Sequence, residues 1–187
     1  MPLEPKKTLN VFKEAKNAWG SFDDYPVGPR GTDPMPHLSR NRIAQPFFLV
    51  CEADQVLIQM AGDGAIEFRE IDPGRMPLVP GDAVYIPAGV PSRVVPRSGS
   101  ENLQIRLKAE PPAREAVAWY CGACGELVHA RELAAGEVLQ QQYWDAVHAF
   151  NADERARTCA RCAAVHPPVD LGDIAWPEVA RALRTQD

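Results

Sequence analysis

No stretch of this 187-residue chain is apolar over the twenty or so residues that a helix needs to cross a bilayer. Basic residues are not in excess either: 20 Lys and Arg against 25 Asp and Glu leave a formal charge of -5. That balance argues against nucleic acid or an anionic membrane surface as the main partner. Internal repeats and low-complexity tracts are missing, which sets aside solenoids and disordered arrays. The opening Met1-Pro-Leu-Glu-Pro-Lys-Lys has no apolar segment of signal-peptide type, so the expected compartment is the cytoplasm. Histidine is scarce. Only His37, His129, His148 and His166 occur, which limits any site built on imidazole.

What the chain does have is a 45% hydrophobic content, enough for a real core, and 18 prolines and 13 glycines that cut it into short elements. The length suits one domain with appendages. Four of its five cysteines fall in two pairs, Cys121-Gly-Ala-Cys124 and Cys159-Ala-Arg-Cys162. Each pair is one turn of backbone aiming two sulfurs at one point, and two such turns make a four-thiolate cage for zinc or a single iron. A disulfide reading is the alternative, but paired Cys-x-x-Cys in a cytosolic chain favours metal. Gly125 follows the first pair, where a small residue lets backbone N–H groups approach the sulfurs; Ala163 takes that place after the second. Because ligation pins the ends of the intervening segment, the cage is expected to be structural.

In chain order, Thr8 to Ser21 can form an amphipathic helix with Leu9, Phe12, Ala15, Ala18 and Trp19 on one side. Phe22 to Pro36, rich in Pro, Gly and Asp, is expected to be an ordered surface loop. Strands are predicted at Pro46–Cys51, Gln55–Met60, Ala65–Ile71, Met76–Val79, Ala83–Ile86 and Leu103–Lys108, separated by Gly/Pro turns. Short strands spaced this way make an antiparallel barrel or jelly roll. In the last strand Gln104, Arg106 and Lys108 share one face and Leu103, Ile105 and Leu107 the other. If the apolar face fills the barrel, Arg106 points outward. Helices are predicted over Glu137–Asn151 and Ile174–Leu183, with Pro177 tolerated in the first turn of the latter. The expected organisation is an N-terminal helix and loop (1–35), a barrel (36–112) and a four-cysteine lobe with helices (113–187).

The segment Leu78-Val-Pro-Gly-Asp-Ala-Val-Tyr-Ile-Pro-Ala-Gly-Val-Pro-Ser92 resembles the second sequence motif of cupins. Trp119-Tyr-Cys-Gly-Ala-Cys-Gly-Glu-Leu-Val-His129 and Cys159-Ala-Arg-Cys-Ala-Ala-Val-His-Pro167 resemble the rubredoxin-like appendage of bacterial 3-hydroxyanthranilate 3,4-dioxygenases. Pro36, Asn41 and Arg42 match a segment near the start of that family's barrel. The resemblance implies a mainly β cupin barrel with a small C-terminal metal lobe, usually a homodimer, and an iron(II) enzyme that opens the ring of 3-hydroxyanthranilate. In the family two histidines and a glutamate hold the iron.

Those ligands do not carry over. Phe48 to Val56 contains no histidine, Gln55 stands where the glutamate belongs, and Ser92 where the second histidine belongs. No barrel iron is therefore expected. Arg93 and Arg97 lie near the family's substrate-gripping arginine, and Arg106 takes the place of its acid. Arg93, Arg97, Arg106, Gln55 and Asn41 are the candidate ligand-binding residues, while surface solvation is the bland reading of the arginines. His37, Glu52 and Asp54 form a weaker candidate for a replacement metal site. Cys51 reads as a small buried hydrophobe, and His129 and His166 as packing around the cage. No catalytic residue is assigned. Three readings stay open: a small-molecule-binding or accessory subunit, acting as a homodimer or with a catalytic paralogue; an enzyme on a related amino- or hydroxy-substituted aromatic acid; and an electron-transfer role for iron in the cage.

Overall fold

In the computed structural model, residues 10–17, 22–29, 31–110, 112–134 and 138–184 are described. Two antiparallel sheets face each other as a jelly roll. The first holds β1 (Phe22–Pro26), β2 (Met35–Asn41), β9 (Asn102–Lys108), β4 (Gln55–Ala61) and β7 (Ala83–Ile86), side by side in that order. The second runs β11 (Leu127–Glu132), β10 (Glu115–Tyr120), β3 (Phe48–Cys51), β8 (Ser92–Pro96), β5 (Gly64–Phe68) and β6 (Arg75–Leu78). Between β4 and β5 the chain turns at Gly62, whose φ is +75° and whose place could not hold a side chain: a Cβ would sit 2.2 Å from the Glu101 carbonyl oxygen.

The predicted surface loop at Phe22–Pro36 is corrected by the structure. Its first five residues are edge strand β1, registered along β2 from Phe22↔Asn41 to Pro26↔His37. Phe22 and Asp24 are both buried. A buried Asp disguises the strand, because its burial is tolerated only through partners far away in sequence. The N-terminal helix is shorter than expected: Val11–Glu14 is α-helical (α1) and Ala15–Asn17 is a 3-10 turn, while Ala18 to Ser21 and Thr8 and Leu9 lie outside the described residues. Strands β8, β10 and β11, which local pattern did not set out, complete the second sheet.

The first sheet also turns its faces the opposite way from the simplest reading of its pattern. Arg106 is aligned with Leu57 across β9 and β4, and Leu57 is in the main core, so Gln104, Arg106 and Lys108 face inward and Arg106 is 3% exposed. Leu38, Leu103 and Ile105 lie on the outer face, packed with Val11, Ala15, Tyr25 and Ile58.

The C-terminal helices α2 (Leu139–Ala152), α3 (Glu154–Arg157) and α4 (Trp176–Arg184) close over one end. Tyr143, Phe150 and Trp176 sit in one continuous apolar cluster with Phe47, Leu57, Ile66 and Val94 of the barrel. Trp119 of β10 stacks on Phe150 at 4.2 Å and 6°, and its Nε1 donates to the Pro46 carbonyl at 3.0 Å. Such a pair adds about 0.5–1.5 kcal/mol beyond the area it buries. The sheet also runs across residue 112, because β10 pairs with β3 as well as with β11.

Candidate metal centre and barrel interior

The four paired cysteines converge. The Sγ atoms of Cys121 and Cys162 are 3.5 Å apart, those of Cys124 and Cys159 are 3.6 Å apart, and all four lie within 4.8 Å of one another. A tetrahedral ion with metal–sulfur bonds of about 2.3 Å calls for sulfur–sulfur edges of about 3.8 Å, so the donors fit. Two loops of the same design build the cage. Cys121 N–H donates to the Glu126 carbonyl and Gly125 N–H to the Cys121 carbonyl; Cys159 N–H donates to the Ala164 carbonyl and Ala163 N–H to the Cys159 carbonyl, all at 2.8–2.9 Å. Gly125 and Ala163 both have positive φ, +76° and +60°. Backbone N–H groups of Cys124 and Ala123 pull the Cys121 thiol down to about 6. Cys124 receives a lowering N–H from Glu126, but burial and the three neighbouring thiols push it up to about 12. Four sulfurs this close cannot all ionise unless a cation replaces their shared protons.

The left-handed backbone makes a test. Gly125→Ala should cost about 1 kcal/mol, since an L side chain is strained at that φ. Ala163→Gly should leave stability level or slightly higher. Thermal melts of the metal-loaded variants measure both.

His129 stacks on Trp119 and Phe150 at 5.9 Å each, and His166 meets the edge of Phe150 at 5.3 Å. Both are packing residues beside the cage. His37, Glu52 and Asp54 do not assemble. His37 pairs with Asp24, Glu52 with Arg114, and Asp54 accepts the Ala88 N–H. Among the described residues the four cysteines are the one group of three or more metal-ligating side chains within reach of a common ion. Cys51 is buried, and burial pushes its thiol up.

Inside the barrel the first sheet mixes core residues such as Leu57, Val84 and Ile86 with a run of buried polar side chains. At one end Ser39 Oγ donates to Asn41 Oδ1 (2.8 Å), Asn41 Nδ2 to Gln104 Oε1 (3.2 Å), and Gln104 Nε2 to Gln59 Oε1 (2.8 Å). Gln59 Nε2 ends the chain on the carbonyls of Ala61 and Gly62. At the other end Lys108 Nζ lies 3.1 Å from Glu115 and 3.6 Å from Asp24. His37 Nδ1 is 3.2 Å from Asp24, Tyr143 Oη donates to Glu115 at 3.3 Å, and Gln140 donates to the Asp24 carbonyl. Burial alone would raise the Asp24 carboxyl, yet Lys108 and His37 more than offset it and hold it well below the usual carboxylate range. Burial would lower Lys108, and Asp24 and Glu115 reverse that. Burial, then the Glu115 and Asp24 charges, keep Tyr143 protonated far into alkali.

Between the two ends Arg106 Nη1 donates to Gln55 Oε1 at 2.7 Å, and Gln55 Nε2 reaches Glu115 at 3.4 Å. Ser92 is also inside, on the Val94 face of β8, aligned with Leu49, and its buried Oγ has no partner. The structure thus brings Gln55, Arg106 and Asn41 onto the inner face. It places Arg93 and Arg97 outside, paired with Glu67 at 2.7 Å and Asp63 at 3.6 Å. Among the described residues the inner face carries one imidazole, His37, already paired with Asp24, so these residues do not fit a site of two imidazoles and a carboxylate. Sequence reasoning missed Asp24, Lys108 and Glu115. The one local signal was that Lys108 shares a face with Arg106.

This is a mainly β, two-sheet barrel carrying a four-cysteine site that can hold a metal ion. No family model matches the chain. It is 36% identical over 124 residues to the 3-hydroxyanthranilate 3,4-dioxygenase of Ruegeria pomeroyi, covering 65% of this chain and 63% of that protein. The same enzyme of a Jannaschia species gives 36% over 124 residues with the same coverage. The chain therefore spans under two thirds of the length of these curated relatives, and it is a divergent relative of them. A cupin-2 domain protein from Shewanella frigidimarina superposes with a TM-score of 0.44 at 18% identity, covering 52% of this chain and 91% of its own. No helix among the described residues is long and apolar enough to cross a membrane.

Proposed function

We propose that this protein is a cupin that no longer cleaves rings, binds a small aromatic acid, and is stapled by a structural zinc in its four-cysteine cage. The observation that carries the reading is the Gln55–Arg106 bond. Where the relatives' family keeps a carboxylate ligand, an amide is tied to a guanidinium, and neither group holds iron(II). Zinc is favoured over iron in the cage because a closed, metal-pinned loop between β10 and α3 is a structural site. The half-covered outer face of the first sheet, with Ile58, Met60 and Leu107 partly exposed and Tyr85 58% exposed, supports assembly as a homodimer or with a catalytic partner. A cytoplasmic setting, which keeps thiols reduced, suits a metal-loaded cage.

The unpartnered Ser92 Oγ supports a second reading, an enzyme on a related aromatic acid through a metal-free site. A buried hydroxyl without a partner is a place for a substrate atom.

Oxygen uptake with 3-hydroxyanthranilate and excess iron(II) should not exceed the protein-free rate, and no ring-opened product should absorb. Robust turnover would mean that iron finds other ligands. Slow, iron-independent consumption of a related acid, lost in Ser92→Ala, would favour the second reading.

A further inference from the structure

A groove of about 620 Å³ lies on the outside of the second sheet, between β3, β8 and β10 and the segment that follows the second cysteine loop. Its size is that of a site for a one- or two-ring molecule. Phe48 and Tyr120 form its floor, ring centroids 5.2 Å apart and edge to face. Two guanidinium groups lie over them. Arg93 is 4.7 Å from the Phe48 centroid, and Arg69 is 5.0 Å from Phe48 and 5.2 Å from Tyr120.

The two arginines differ in a way that points to a ligand. Arg93 already holds Glu67, at 2.7 Å. Arg69 follows β5 and forms no ion pair among the described residues, and its Nε is buried without a hydrogen-bond partner. A guanidinium has five donors in a plane suited to carboxylate. The Phe48 and Tyr120 rings hold the Arg69 guanidinium at cation–π distance, and Asp170 and Asp173 are the acidic groups of the lining. At the far wall His166 Nδ1 meets the Pro167 carbonyl at 2.7 Å, so Nδ1 carries the proton and Nε2 is an acceptor when the ring is neutral.

We infer that this groove, on the outer surface of the barrel, is the binding site for a planar aromatic carboxylate, anchored by Arg69 and lying against Phe48 and Tyr120. The inference rests on the preceding reading for the ligand class alone, and assigns it to a different place from Arg106 and Gln55. One wall belongs to the segment after Cys162, so the groove and the cage share that part of the chain.

The test is calorimetric titration of the zinc-loaded protein with 2-aminobenzoate. Cyclohexanecarboxylate serves as the non-aromatic acid and inorganic phosphate as the non-aromatic anion. The expected order is 2-aminobenzoate well ahead of both. Arg69→Gln should weaken binding tenfold to a hundredfold, the loss of one charged hydrogen-bonding anchor, while Arg106→Gln leaves it unchanged. Arg69→Lys should fall between, keeping charge without the fork. Melting midpoint and zinc content confirm that each variant folds. Loss in Arg106→Gln with Arg69→Gln unaffected would overturn the groove and keep the barrel as the site. Loss of zinc affinity in Arg69→Gln with unchanged acid binding would overturn it by making Arg69 a counter-charge for the thiolates; it reaches within 4.0 Å of where a Gly125 side chain would begin. No binding by the wild type would overturn both readings.

Discussion

Chelation of the bound metal, or Cys121→Ser, should unfold the C-terminal lobe and carry part of the barrel with it. Structural zinc sites supply apparent free energies of about 10–16 kcal/mol at neutral pH, more than the ~5–15 kcal/mol that most domains hold in reserve. Cys121 directly follows β10, and Cys159 closes the turn after α3, so the ion joins the end of a barrel strand to the helical segment. Trp119 and Phe150 lose their stacking when that joint opens. The fluorescence of Trp119 and the near-ultraviolet dichroism should collapse together with the metal, and the thermal midpoint should drop by tens of degrees. A chelated protein that melts where the loaded one does would show that the cage is incidental to the fold.

Lys108→Met should be the most damaging single change inside the barrel. It leaves Asp24 and Glu115, 7% exposed each, without their shared cation. Removing one partner from a buried ion cluster costs about 3–5 kcal/mol. The pH dependence follows from the direction of each shift. Asp24 has a lowered pKa in the folded state, so its stabilisation is present above the ordinary carboxylate value and is lost as pH falls through the folded one. Lys108 and Tyr143 are raised, so their contributions are complete below about 10, their ordinary range, and are lost as pH rises beyond it. The wild type should therefore hold a broad plateau of stability between about pH 4 and 10. Without Lys108 the largest charge lowering Asp24 is gone and burial is opposed by His37 and Arg106 alone, so the acid limb should move toward neutrality. Asp24→Asn placed on Lys108→Met should recover part of the loss, because neighbouring changes of this kind are coupled. Thermal melts from pH 3 to 8 check the sequence of events. An acid limb that does not move would mean that another cation takes the place of Lys108.

The cysteine cage was legible because its geometry is local: two turns, each fixed by a two-residue spacing. β7 was legible for the same reason, and the structure ends it at the predicted residues, Ala83 and Ile86. The inner face of the first sheet was not. Alternation in β9 separates Gln104, Arg106 and Lys108 from the leucines and isoleucine, but does not say which set faces the second sheet. The partners that make a polar interior tolerable lie 45 residues away for Gln104 and 51 for Arg106. The outer apolar set is satisfied in part by the short N-terminal segment at Val11 and Ala15. β1 was hidden by the same physics, since a strand containing Asp24 looks like a loop until Lys108 and His37 are placed beside it. Arg69 carried no signal beyond following Phe68. What distinguishes it, among the described residues, is a buried Nε without a hydrogen-bond partner, which only the folded chain reveals.

The two cysteine loops match in their hydrogen bonds but not in their access to solvent. Each gives its first sulfur to the interior, Cys121 and Cys159 being buried, while Cys124 is half covered and Cys162 is exposed. One edge of the cage therefore faces outward. Chelators and oxidants meet Cys162 before any other ligand, so exchange of the ion begins there, by release of a single sulfur while three still hold. The rate at which the centre turns over its metal is then set by one residue at the rim, whereas the strength of the centre is set by all four.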